Sequence, residues 1–253
     1  MAEWNDPRTA AESTGGLNTA TVGVPRAARD VGLRSYMLSV YNYMASGVLL
    51  TGIVAMLFAN SSLINLIVNP ATGQATPLFW VVLFAPLGLV MWLNYGINRM
   101  SAGTAQTLFW AYAALIGVQF SSLFLVYTGA SVAQAFFATA AAFLGMSLWG
   151  YTTKKDLSGF GTFIIMGVVG LFVALLINLF LRSPGLDLAI SSIGVLIFAG
   201  LTAYRTQQIK SIYFAVAGNG EAMTKTAVLG ALTLYIAFIN MFLFILRLMG
   251  NRR

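Results

Sequence analysis

The stretch AVLGALTLYIAFINMFLFIL, residues 227–246, carries no charged side chain in twenty positions. A helix rises about 1.5 Å per residue, so a run of this length matches a bilayer hydrocarbon core of about 30 Å. Six further apolar runs precede it, at about 36–59, 78–98, 105–127, 131–151, 160–181 and 188–204. Together they make the chain an all-α polytopic membrane protein, a bundle of seven transmembrane helices. None of the seven contains Asp or Glu. Intramembrane carboxylates are the usual carriers of cation and proton chemistry, so their absence limits what this bundle can do.

Composition points the same way. Of 253 residues 58% are hydrophobic and 8% charged, against about a quarter charged in a soluble domain. The length fits one compact transmembrane domain over 34–253 and leaves no second folded unit. Residues 1–33 are polar and rich in small residues, with no apolar core and cleavage site before Met37; they read as a disordered cytoplasmic tail and not as a cleaved signal peptide. The net charge of +7 is spread through loops, not gathered in the basic stripe that nucleic-acid binding needs. The expected surroundings are the lipid bilayer, with no nucleic acid.

Basic residues then orient the bundle. Arg8, Arg26, Arg29, Arg34, Arg99, Lys154, Lys155, Arg205, Lys210 and Lys225 fall on one side if the spans alternate, and the opposite loops carry only Arg182. The N-terminus is therefore expected in the cytoplasm. Arg247, Arg252 and Arg253 follow the seventh span and dissent, which leaves open whether that last segment crosses or re-enters.

With no Cys and no His, the chain has no disulfide, no thiol nucleophile, no His-ligated metal and no Ser-His pair. HExxH and a P-loop are absent, no two Asp lie within spans, and no Lys lies within the seventh. The chain is expected not to be an enzyme, with no catalytic residue, no metal site and no cofactor.

Small residues allow close helix approach in lipid. Ala133, Ala138 and Ala142, Ala141 with Gly145, Gly170 with Ala174, and Ala199 with Ala203 have the spacing for it. Pro86 interrupts the hydrogen bonding of the second span. Trp80, Trp92, Tyr95, Tyr127, Trp149 and Tyr151 fall near span ends, where interfacial anchors sit. Asn94, Asn98, Gln119, Asn178 and Asn240 are placed for hydrogen bonds between helices, as glue and not as ligands. No internal repeat is evident.

Three segments carry a resemblance: GYTTKKDLS (150–158), GVLIFAGLTAYRTQ (194–207) and ALTLYIAFINMF (231–242). Their order and spacing resemble the Bax inhibitor-1 family (transmembrane Bax inhibitor motif proteins), bacterial branch, over about residues 30–253. The resemblance implies a bundle whose last helix is central and surrounded by the other six, in the bacterial inner membrane. It implies a pH-sensitive calcium leak and, from one bacterial relative, an association with a membrane-bound AAA protease as substrate and modulator. The leak is attributed to one Asp on helix six and one on helix seven that share a proton. Two carboxylates this close cannot both ionise cheaply, so they titrate as a pair and sense pH.

Both positions differ here. The motif Tyr-Asp-Thr-Gln reads Tyr204-Arg205-Thr206-Gln207, and Tyr-Leu-Asp-Phe-Ile-Asn reads Tyr235-Ile236-Ala237-Phe238-Ile239-Asn240. Arg205 and Ala237 thus occupy the sensor-pair positions, and the family's proton-sharing sensor cannot form. A bound calcium ion wants six to eight oxygens, carboxylates among them. At an effective dielectric of about 20, a unit charge 4 Å away from Arg205 is repelled by roughly 4 kcal/mol. Arg99, Tyr204, Tyr235 and Asn240 are the remaining candidates for a pathway or latch. Three roles follow: an ion (calcium) leak channel or transporter with an altered, pH-insensitive or non-calcium path, a non-transporting partner of a membrane protease, or an anion path lined by Arg99 and Arg205.

Overall fold

The computed structural model describes residues 26–251 except 68, 70, 71 and 73, with only the backbone of 26–29. Most of the expected tail, and the side chains of Arg8, Arg26, Arg29, Arg252 and Arg253, lie outside the described residues. The helices are α1 (Arg26–Ala59), α2 (Pro77–Gly96), α3 (Ala102–Phe120), a single turn α4 (Leu123–Val126), α5 (Gly129–Thr152), α6 (Ser158–Leu181), α7 (Pro184–Val216) and α8 (Gly220–Met249), with a 3-10 turn at Ser62–Leu66. The third expected span is α3 plus α4, broken where the Ser121 and Ser122 hydroxyls bond back to Val118 O (2.6 Å) and Gln119 O (2.7 Å). Seven helices are long and apolar enough to cross a membrane.

Three boundaries differ from the sequence reading, one of them the start of α8, at Gly220 and not at 227. The α1 helix begins at Arg26, inside the segment expected to be a tail, because Leu33, Tyr36 and Met37 are buried and Tyr36 packs on Tyr213 with ring centroids 5.5 Å apart. The helix of the sixth span does not end with its apolar run at residue 204. The α7 helix continues to Val216 through Gln207, Gln208 and Lys210, polar residues with good helix propensity. Arg205 therefore lies inside a helix that runs about 16 Å further.

The α8 helix is the centre: 72% of its most apolar window is buried, against 11% for α2 and α6. It packs on α1, α3, α5 and α7, while α2 rests on α3 and α6 on α7. The last helix is thus central as expected, but four of the six others surround it and two stand outside. The pattern of α1, α2 and α3 (first on third, second on third, first and third on α8) recurs in α5, α6 and α7. Each triplet is odd, so the second enters from the opposite face, an inverted arrangement of the kind transporters use.

The C-terminal question is settled by packing. The α8 helix is continuous and ends beside the α4–α5 turn, where Asn251 N–H donates to Ser131 Oγ (3.0 Å) and Thr128 N–H to Asn251 O (3.3 Å). It crosses and does not re-enter, so Arg247 lies on the face opposite Arg34, Lys155 and Lys225, which we call the basic face.

Of the small residues whose spacing suggested contact, Ala203 makes a close approach; the other close approaches occur at different small residues. Gly145 and Gly170 are exposed, with nothing near the place of a side chain. Among the tight contacts are Gly150 on the Ala203 backbone, Gly117 on Thr51 O and Val54, Gly161 on the Tyr204 ring and Gly194 on Phe244. Trp80, Trp92, Tyr95 and Trp149 are exposed as interfacial anchors require, but Tyr127 is buried against Gly250 and Tyr151 is half-buried beside Lys210.

Pro86 is buried inside a continuous α2. Lacking an N–H, it leaves Val82 O without its helical donor. Gln119 of α3 supplies one: its Nε2 donates to Val82 O (2.7 Å) and Leu83 O (3.1 Å). In hydrocarbon a freed carbonyl must be satisfied by a neighbour, and this is how α2 tolerates its proline. Among the expected glue residues Gln119 alone bonds between membrane-spanning helices. Asn94 and Asn240 bond to their own helices at Val90 O and Ile236 O (both 2.8 Å), Asn178 accepts from Ser183 N–H (3.0 Å), and Asn98 is exposed.

Candidate functional site

Antiparallel α7 and α8 meet at Gly194 with Phe244 and at Ile209 with Gly230. Between these contacts Ala237 falls level with Leu201 and Thr202, about one helical turn from the level of Arg205. Arg205 follows Ser191 and Phe198 at heptad spacing, so it shares the stripe that faces α8. Its guanidinium stays half-buried on its own helix: Nη1 donates to Gln208 Oε1 (2.6 Å), and Cζ lies 5.6 Å from the Tyr204 ring centroid. No carboxylate comes within ion-pair distance of it among the described residues. Ala237 is fully buried.

A file of hydroxyls runs past this seam. Thr206 donates to Thr202 O (2.9 Å), so it must accept from Ser147 (3.0 Å), which in turn accepts from Tyr41 (2.6 Å). One proton direction satisfies all three groups and ties α1 to α5 to α7. The same region clamps the α5–α6 loop. Gln207 Nε2 donates to Lys155 O (2.8 Å), its Oε1 accepts from Leu157 N–H (2.8 Å), and Lys210 Nζ donates to Tyr151 O (2.9 Å). The segments 150–158 and 194–207 belong together because they build one junction.

Tyr235 is fully buried in α8 and bonds to Thr51 Oγ1 at 2.6 Å. The Thr51 hydroxyl also lies 2.9 Å from both Gly47 O and Ala113 O, so its proton goes to a carbonyl and Tyr235 is the donor. Phe109 and Tyr112 pack edge-on around the Tyr235 ring, with centroids at 6.0 and 5.6 Å. Tyr235 is thus a locked core residue. The sequence reading missed Tyr41, Thr51, Ser147, Thr202 and Thr206; their one signal is a hydroxyl inside an apolar span.

Arg99 is exposed in the turn after α2, and α2 packs on α3, not on α7. An anion path lined by Arg99 and Arg205 needs both to point inward, and Arg99 does not. Among the described residues no three carboxylate, His or Cys side chains gather to hold a metal.

The family model described as inhibitor of apoptosis-promoting Bax1 matches residues 33–253. The chain belongs to the Bax inhibitor-1 family. A protein of Rickettsia prowazekii is 47% identical over 224 residues, covering 88% of this chain and 92% of its own length. A Caulobacter vibrioides protein is 46% identical over 230 residues (88% and 91%). The Escherichia coli K12 protein named inner membrane protein YbhL is 44% identical over 223 residues (88% and 94%). The Bax inhibitor-1 core, α8 between two triplets, is therefore what residues 33–253 encode, and Arg205 and Ala237 lie inside it.

Proposed function

We infer that this Bax inhibitor-1 protein works in a bacterial inner membrane, basic face to the cytoplasm, as a bundle that excludes calcium at every physiological pH. The observation that carries the reading is Arg205: a permanent cation on the α7 stripe facing α8, one turn from a buried Ala237, with no carboxylate beside it among the described residues. A divalent cation at this seam meets repulsion instead of a ligand. Nothing there titrates between pH 6 and 8, since the chain has no His and the described carboxylates Asp30, Asp156, Asp187 and Glu221 lie outside the seven apolar runs.

The test is calcium flux in proteoliposomes from pH 6 to 8. Wild type is expected to pass little calcium with no steep pH dependence. Arg205→Asp with Ala237→Asp is expected to create a proton-sharing pair and a pH-dependent leak, and Arg205→Asp alone a partial, flatter one. A wild type that already leaks steeply with pH overturns the reading.

The second reading is a non-transporting partner or substrate of a membrane-bound protease. It is favoured by the aromatic packing that fills the bundle centre around Tyr235. Co-purification with such a protease, in a protein silent in the flux assay, distinguishes it.

A further inference from the structure

Two basic residues run against the charge pattern that orients the chain: Arg182, alone in the loops of the opposite face, and Arg247, beyond the last span. The fold brings both to the wall of one open cavity of about 510 Å³ at the ends of α6, α7 and α8, together with Asn178, Asp187 and Ser191.

Three features of this cavity have no role in the packing. Arg182 takes a left-handed backbone conformation (φ 50, ψ 35), where a helix normally ends on Gly, and its side chain makes no hydrogen bond or ion pair among the described residues. Arg247 is committed only loosely: Nη1 lies 3.8 Å from Asp187 Oδ1 and Cζ 6.0 Å from the Phe244 centroid, which leaves most of its five donors open. Ser191, 1% exposed, lines the cavity with its hydroxyl buried and unpartnered. An unpaired buried hydroxyl costs free energy that a ligand or its bound water can recover.

Two guanidiniums against one carboxylate leave a net positive charge, and the N-terminus of α7 adds its dipole from the same side. Nothing stands within 4 Å of where a Gly185 side chain would be, so the approach to that first turn is open. Guanidinium forks match the oxygens of phosphate in pairs. We propose that this cavity is an anion site for a phosphate group, held by Arg182 and Arg247 with Ser191 at its floor. It is separate from the α7–α8 seam around Arg205 and independent of whether that seam passes ions.

Full-length protein in detergent is titrated calorimetrically with inorganic phosphate, and retained phosphatidylglycerol is counted by native mass spectrometry. Saturable binding at one site supports the proposal with either probe: phosphate alone identifies a free anion, phosphatidylglycerol alone a lipid headgroup. Arg182→Gly and Arg247→Gln are each expected to weaken binding about tenfold or more, with Arg34→Gln on the basic face unchanged. Arg182→Gly separates binding from folding, because glycine suits the left-handed position and the melting temperature should hold or rise. The proposal fails if neither probe binds saturably, or if Arg182→Gly melts as wild type and binds with undiminished affinity.

Discussion

The pairing of Pro86 with Gln119 makes a quantitative claim that a double-mutant cycle can test. Gln119→Leu keeps the bulk of the side chain and removes both donors, leaving Val82 O and Leu83 O without the 2.7 and 3.1 Å bonds. Val82 O then has no partner at all, because residue 86 has no N–H to give. An unsatisfied buried carbonyl costs about 1–3 kcal/mol, while cycles on interhelical bonds in membranes average about 0.6 and reach about 1.7. This bond belongs at the upper end, since the usual helical fallback is missing, so about 1.5 kcal/mol is expected for Gln119→Leu alone. In a Pro86→Ala background the new backbone N–H takes Val82 O, and the same substitution should cost under about 0.5 kcal/mol. The coupling is therefore about 1 kcal/mol, measurable by reversible unfolding in mixed micelles as SDS is titrated in. Equal costs of Gln119→Leu in the two backgrounds would refute the reasoning, and would mean Gln119 stabilises α3 by packing alone.

Gly150→Ala should destabilise by about 1–3 kcal/mol despite alanine's better helix propensity, because its methyl meets the Ala203 backbone, which cannot move aside. Gly170→Ala at the exposed face should be neutral or slightly stabilising in the same unfolding assay. Tyr235→Phe should cost about 1 kcal/mol, since it removes the donor to Thr51 Oγ1 but leaves Thr51 its carbonyl acceptors; no change would contradict the assigned proton direction. Hydrogen bonds from the Ser158 hydroxyl and Ser158 N–H hold the Asp156 carboxyl below the ordinary Asp range. A depressed carboxylate contributes stability above its unfolded pKa of about 3.9 that is lost as pH falls below it, so melting temperature should be flat from pH 6 to 8 and no Asp156-linked loss should begin above pH 5.

The parts legible in the sequence were those that depend on length and charge, the seven apolar runs and their alternation; the central place of the last helix came from what the family resemblance implies. The parts that were not depend on which side of a helix a residue faces. Gly170 and Gly145 have the small-residue spacing of a contact yet point outward, and Gly150 with Ala203, which nothing in the spacing singled out as partners, make the closest approach of α5 to α7. Hydroxyls show the same limit. Ser147 and Thr206 are visible as polar atoms in apolar runs, but their pairing across 59 residues follows only from the packing. The end of α7 was misplaced because hydropathy stops at the membrane edge, whereas a helix stops where its backbone loses support. At 205–216 that support comes from α1 and α8, through Tyr36 and Gly230.

That extension also explains how α7 is held by contacts that do not involve Arg205 or Ala237. The α5–α7 junction is held by Gln207, Thr206, Ser147 and Lys210, and the α7–α8 register by Gly194 with Phe244 and Ile209 with Gly230. None of these contacts uses Arg205 or Ala237. A single Arg opposite a retained Asp would have made a half-buried ion pair, adding an attraction across the seam at the cost of desolvating both groups. With Ala at 237 that attraction is absent, and Arg205 is held on α7 alone by Gln208 and the Tyr204 face. The charge on α7 thus has no ionic partner on the central helix among the described residues. A fixed charge without a titrating partner cannot switch with pH, but it can still repel a cation, as the proposed exclusion of calcium requires.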